Sequence, residues 1–190
     1  MATSSEPLGD VRTSPRAAER RSASAFAPLR VLLVLVAAGC AGVLGPGAGE
    51  SDFHLSDLAA EGDPAFRASM RIVLDGLDAD VAGDPDLALV RYERSLQVDP
   101  TNPYAYLALA RHRVEGEDPE SALPFLDKSK ALLRAEGALS PGVEAHLDGL
   151  RGAALLASRR RTEALPLLER ARSLAPEAWS DGQLDADELR

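Results

Sequence analysis

The residue types that most often carry chemistry are sparse in these 190 residues and stand apart from one another. His54, His112 and His146 are too scattered for a metal-binding pair, and Glu144, His146 and Asp148 fall on a stretch where such near neighbours face different directions of a helix. There is no serine elbow, and the one cysteine, Cys40, lies in an apolar run. A lone cysteine excludes an intrachain disulfide, a cysteine-rich zinc site and an iron-sulfur cluster held by this chain alone. The glycines of GPGAGESD (45–52) are followed by neither Lys-Ser nor Lys-Thr and preceded by no strand, so they make no phosphate loop. Near the C-terminus Asp181, Gly182, Leu184, Asp185 and Glu188 reproduce the second half of a calcium loop, but Glu177 and Trp179 stand where further ligands should be. The expectation is therefore a chain that is not an enzyme, with no catalytic residues, no metal site and no cofactor.

Cys40 has a chemistry of its own. It ends the apolar stretch Val31–Gly39 and follows the small residues Ala37, Ala38 and Gly39, so the segment resembles a bacterial lipoprotein signal, which implies lipidation at Cys40. The pattern departs from that signal at Ala37, where leucine is usual, and in the length of its polar lead. Two other readings remain: residues 31–48 just reach the length that spans a bilayer, or they are a conventionally cleaved export signal. Gly39, Gly42, Gly45, Gly47 and Pro46 make the second half a poor spanning helix. Residues 1–30 hold five Arg against three acids, and the remainder sixteen bases against twenty-seven acids. By the positive-inside rule this places the bulk of the chain on the non-cytoplasmic side, anchored in a cell envelope through residues 31–48. The same acidity argues against a nucleic-acid partner.

Elements must position whatever work the rest does. Residues 1–30 mix Ser, Pro, Ala and Arg without periodicity and read as disordered; 49–64 read as a linker. From Ala65 the apolar residues recur at helical spacing, Phe66, Met70, Val73, Leu77 and Val81 forming one stripe. Breakers with capping residues at 83–85, 99–103, 116–119 and 140–142 cut this region into helices near 65–82, 85–98, 103–115, 119–135, 142–158 and 161–174. Pro124 and Pro166 fall inside two of these, where a kink or a late helix start is expected. The six helices make three hairpins, 65–100, 101–135 and 142–176, followed by an acidic tail or cap at 177–190.

The hairpins repeat one another. DLALVRYERSL (86–96), ESALPFLDKSK (120–130) and TEALPLLERAR (162–172) align residue by residue, with Ala88, Ala122 and Ala164 in register. This chain therefore resembles the tetratricopeptide repeat family, whose period is thirty-four residues in two antiparallel helices. Gly76, Gly83, Ala88, Tyr92, Ser95 and Pro100 carry the pattern in the first hairpin. Tyr106, Leu109, Ala110, Ala122, Leu126 and Ser129 carry it in the second, and Gly152, Leu155, Ala164, Leu168, Ala171 and Pro176 in the third. Arg134 and Asp148 depart from it, standing where a closing proline and a large apolar residue are usual.

The resemblance implies an all-α fold, a short α-solenoid of about three antiparallel hairpins whose first helices line a concave groove that binds a protein or peptide. The groove-facing residues would be Met70, Val73, Leu77 and Asp80, then Tyr104, Leu107, Arg111 and Glu115, then His146, Ala153 and Leu156. A second reading is that Leu77, Tyr104 and Leu107 pack under a neighbouring segment such as 52–64. Asp78, Asp80, Asp84 and Asp86 cluster near one turn and would suit a basic partner, although Asp84 and Asp86 also read as helix-start residues. Residues 151–172 hold six Arg against Glu163 and Glu169, so acidic hairpin one and basic hairpin three also allow head-to-tail self-association. The combined expectation is a membrane-anchored adaptor or scaffold for an envelope protein or peptide. Its alternatives are a self-associating assembly factor and a non-catalytic accessory chain of an enzyme.

Overall fold

The computed structural model describes residues 53–116 and 118–190. The expectations for residues 1–30, for the anchor at 31–48 and for lipidation at Cys40 lie outside the described residues. Within them the chain is helical: a 3-10 turn Leu55–Leu58, then α1 (Pro64–Val81), α2 (Pro85–Val98), α3 (Pro103–Glu115), a 3-10 turn Pro119–Ala122, α4 (Leu123–Glu136), α5 (Pro141–Ala157), α6 (Arg161–Leu174) and the short α7 (Ala186–Leu189). None of the described helices is long and apolar enough to cross a membrane.

Four of these helices start by one device, a capping side chain followed by proline in the first turn. Asp63 accepts from the Ala65 and Phe66 amides, Asp84 from Leu87, Asn102 from Tyr104 and Ala105, and Ser140 from Val143. Pro119 follows Asp118, whose side chain caps nothing, and that start is 3-10 before it becomes α-helical at Leu123. This is how Pro124 is accommodated, in the first turn of α4, where its missing N–H would be unpaired anyway. Pro166 stays inside α6. Gly137, at φ 70°, closes α4 in the left-handed conformation, so that the Ala138 amide reaches back to the Leu133 carbonyl.

The fold is an all-α, short α-solenoid of three antiparallel hairpins, α1–α2, α3–α4 and α5–α6. Helices α1, α3 and α5 also pack on one another as an inner layer, whereas α2 and α4 each pack on the first helix of the next hairpin. The repeat positions explain the packing. Ala88, Tyr92 and Ser95 of α2 are the buried residues of their helix, and Ala122, Leu126 and Ser129 and then Ala164, Leu168 and Ala171 take the same places in the next two hairpins. Asn102 ties the first two hairpins together: it donates to Ser69 Oγ (2.9 Å), which donates in turn to the Ser95 carbonyl (3.0 Å), all three residues buried. Asp148, the departure from the apolar pattern, is buried between Lys130 of α4 (3.5 Å) and Arg170 of α6 (3.3 Å), so a charge bridge replaces a hydrophobic contact.

Gly76 lets the Tyr92 ring of α2 lie directly on α1, since a β-carbon there would stand 2.6 Å from that ring. Gly76→Val should therefore force the helices apart and lower stability by about 1–3 kcal/mol, read as a reduced urea midpoint at unchanged slope. An unchanged midpoint would mean that the two helices separate without cost.

Candidate functional site

Helices α3 and α5 are buried almost all round. A helix with an outer partner on one side only would keep its opposite face in water, so something must cover the inner layer. The cover is the chain itself. Leu55 is fully buried, and Phe53 stacks at 5.9 Å on Tyr104 and 5.6 Å on His146. From the other end residues 177–190 turn back along the inner layer. Trp179 lies against α5 at Gly149, Gln183 and Leu184 lie beside Arg111 of α3 and Ala153 of α5, and α7 packs on α1. The two covering segments meet where the Ser56 amide donates to the Arg190 carbonyl (2.7 Å).

The residues expected to face a partner therefore divide into two groups. Met70, Val73, Leu77, Tyr104, Leu107, Arg111 and His146 are buried, Asp80 is nearly so, Ala153 is half-buried, and Glu115 and Leu156 are exposed. The apolar middle of the inner layer formed by α1, α3 and α5 is occupied by residues 53–58 and 177–190. Tyr104 packs under the neighbouring segment, against Phe53 and beside Leu58, and Leu77 and Leu107 are fully buried in the same core. Trp179 packs on the last hairpin through Gly149 and His146 of α5, with its whole side chain buried at this inner face.

The polar part of the face is a buried network. Asp80 accepts from Tyr92 Oη (2.8 Å), from Arg111 Nη2 (2.5 Å) and from His112 Nδ1 (3.0 Å), and Arg111 also bonds Glu115 (2.6 Å). Burial would raise the Asp80 pKa, but the bonds from His112 and Tyr92 and the Arg111 charge outweigh it and hold the carboxylate below its ordinary value. Burial and the Asp80 charge together push the Tyr92 phenol up. Asp80 and Arg111 thus pair within the chain, although Arg111 Nε is buried with no hydrogen-bond partner among the described residues. Three other charges singled out in the sequence are also engaged within the chain: Asp78 pairs with Arg190, Asp84 caps α2, and Arg160 bridges Glu120 and Glu163 at 2.8 Å each. Glu144 and Asp148 both pair with Arg170, at 3.1 and 3.3 Å, whereas His146 bonds Trp179 and Phe53.

His146 joins the two covering segments. The indole N–H of Trp179 donates to Nδ1 at 3.2 Å, so the ring proton sits on Nε2, which donates to the Phe53 carbonyl at 3.4 Å. Burial drives its pKa down to about 4; the Phe53 bond opposes that shift and the charge of His54 adds to it. Gly149 makes the seat, because a β-carbon there would overlap the Trp179 ring. The sequence reading missed this residue, and the available signal was a glycine in a helix interior, where it costs about 1 kcal/mol unless something needs the space.

The tetratricopeptide repeat family model matches residues 82–139. That tetratricopeptide match spans α2, α3 and α4 and leaves the third hairpin outside it, under half of the chain. No curated protein and no solved structure matches the chain.

Trp179 is the only tryptophan, so its environment can be read directly. Trp179→Ala should cost about 3–5 kcal/mol and expose apolar inner-layer surface, measured by denaturant unfolding and dye binding. Acid should act through His146. An unfolded histidine takes a proton near pH 6.5 and the folded one only near 4, so as pH falls through that window the unfolded state binds the proton first. Stability should drop by about 1.4 kcal/mol per pH unit there. His146→Gln should flatten that slope; an unchanged slope would assign it elsewhere.

Proposed function

We propose that this chain is a non-catalytic adaptor or scaffold, a tetratricopeptide-like array that binds a segment of another protein. The observation that carries the reading is the occupancy of the inner face. Three first helices form an apolar surface of the right shape to take a polypeptide segment, because one of the chain's own, residues 177–190, lies along it with Trp179 inserted. Repeats of this kind generally mediate contacts between proteins, and the family match over residues 82–139 supports the same assignment. A partner would engage the rim that stays open, at Glu115, Ala153 and Leu156, and extend its contact by displacing the C-terminal segment. We further propose that the array works in a bacterial cell envelope, on the non-cytoplasmic side, held through residues 31–48 with Cys40 lipidated. Support for that setting comes from the sequence: the lipobox-like ending of the apolar run and the charge asymmetry across it.

Two measurements test this. A photo-crosslinking residue at Leu156, on the inner rim, should capture one recurring polypeptide in the native host, with a higher yield when Trp179→Ala loosens the cover. The same residue at Val90, on the outer helix α2, should not. Adducts found only within the chain itself would count against an adaptor. The intact mass of the protein recovered from native membranes should correspond to Cys40–Arg190 plus acyl chains; a mass that begins at the first residues and carries no lipid would replace lipidation with a spanning anchor.

A further inference from the structure

A cleft of about 350 Å³ opens away from the covered middle of the inner face, where the start of α1, the α2–α3 turn and the end of α4 converge. Its walls are aromatic and its rim is acidic. Phe66 meets Tyr104 edge to face at 6.1 Å, and Glu61, Asp63, Asp99 and Glu136 surround the pair. None of these four carboxylates forms an ion pair with a described residue. Asp63 and Asp99 are engaged by backbone amides, as the cap of α1 and in the turn to Thr101, but Glu61 and Glu136 have no such duty. No Arg or Lys lines the cleft; Arg67 stands at its edge, where its guanidinium bonds the Gly62 carbonyl (2.5 Å).

A second observation marks the cleft as a site rather than a solvated acidic corner. Tyr104 is only 6% exposed, lines the cleft, and has a hydroxyl with no hydrogen-bond partner among the described residues. The hydroxyl is not among the polar atoms closed off from solvent, so it is available to a group that enters the cleft. Burial and the charges of Glu136 and Glu61 push its pKa up, which places those two carboxylates close enough to act on it. Among the described residues no three acidic, histidine or cysteine side chains converge as a metal would require, so the ring of charge is too open for a bare cation. An aromatic wall with an unpaired hydroxyl acceptor and a dispersed acidic rim fits a flat, delocalised cation with several donors.

We propose that this cleft takes the guanidinium of an arginine side chain presented by the partner polypeptide. The planar group stacks on Tyr104 and Phe66, donates to the Tyr104 hydroxyl and lies within the field of Glu61 and Glu136. The proposal rests on the adaptor reading and adds a chemical preference to it: the partner segment carries a basic residue at this end of the inner face.

The test uses the full 190-residue chain in mild detergent, with ¹³C-labelled tyrosine rings. The probe is the capped tripeptide Gly-Arg-Gly, beside its citrulline counterpart, which has the same shape and no charge. The arginine peptide should shift the Tyr104 ring resonance saturably, the citrulline peptide should not, and added salt should weaken the effect. Glu61 and Glu136 are exposed, so Glu61→Gln and Glu136→Gln leave the fold intact; each should weaken binding about 2- to 5-fold. Absence of a saturable Tyr104 shift, equal shifts from both peptides, or unchanged affinity in both variants would overturn the assignment. If crosslinking at Leu156 finds a partner while the arginine peptide leaves Tyr104 unmoved, the adaptor reading stands and the cleft falls alone.

Discussion

The apolar inner face of α1, α3 and α5 cannot be left in water, and much of the structure follows from how it is covered. Three hairpins bury only the surfaces that they turn toward one another; the outer helices α2, α4 and α6 already protect the other side. In a longer array curvature and neighbouring repeats would shelter part of the inner face. Here the segments that flank the repeats do so, Phe53 and Leu55 from one end and Trp179, Leu184 and Leu189 from the other. The buried network around Asp80 and Arg111 makes sense only under this cover, because two charges in low dielectric hold each other more firmly than they would in solvent.

Small residues set how closely the layers approach. Gly76 admits the Tyr92 ring between α1 and α2, Gly152 admits Leu168 between α5 and α6, and Gly149 admits Trp179 from the covering segment. The first two belong to the repeat pattern, and the third does not. The same physical device, a missing β-carbon in a helix interior, therefore serves both the repeat architecture and the seat of the cover.

The fold was largely legible because each helix is punctuated locally. Capping residues ahead of Pro64, Pro85, Pro103 and Pro141 mark starts that no tertiary contact has to define, and the alanines at 88, 122 and 164 repeat one packing solution. The candidate site was legible only in part. Periodicity placed Leu77, Leu107 and His146 on a common face, but it says which residues share a surface and not what lies on it. That Trp179 reaches Gly149, or Arg190 reaches Asp78, depends on the path of a tail with little periodicity of its own. Asp148 was read as a defect in the repeat because its partners, Lys130 and Arg170, stand on other helices.

The cover also gives this small array a mixed topology with a kinetic side. Each hairpin closes between residues near in sequence, which favours rapid local folding. The contacts of Ser56 and of Asp78 with Arg190 span most of the domain and can form only after residues 177–190 have been made. During synthesis there is accordingly an interval in which the hairpins exist and their shared apolar face is bare. In that interval the nascent array is open to chaperones, or to a partner that arrives before the tail does.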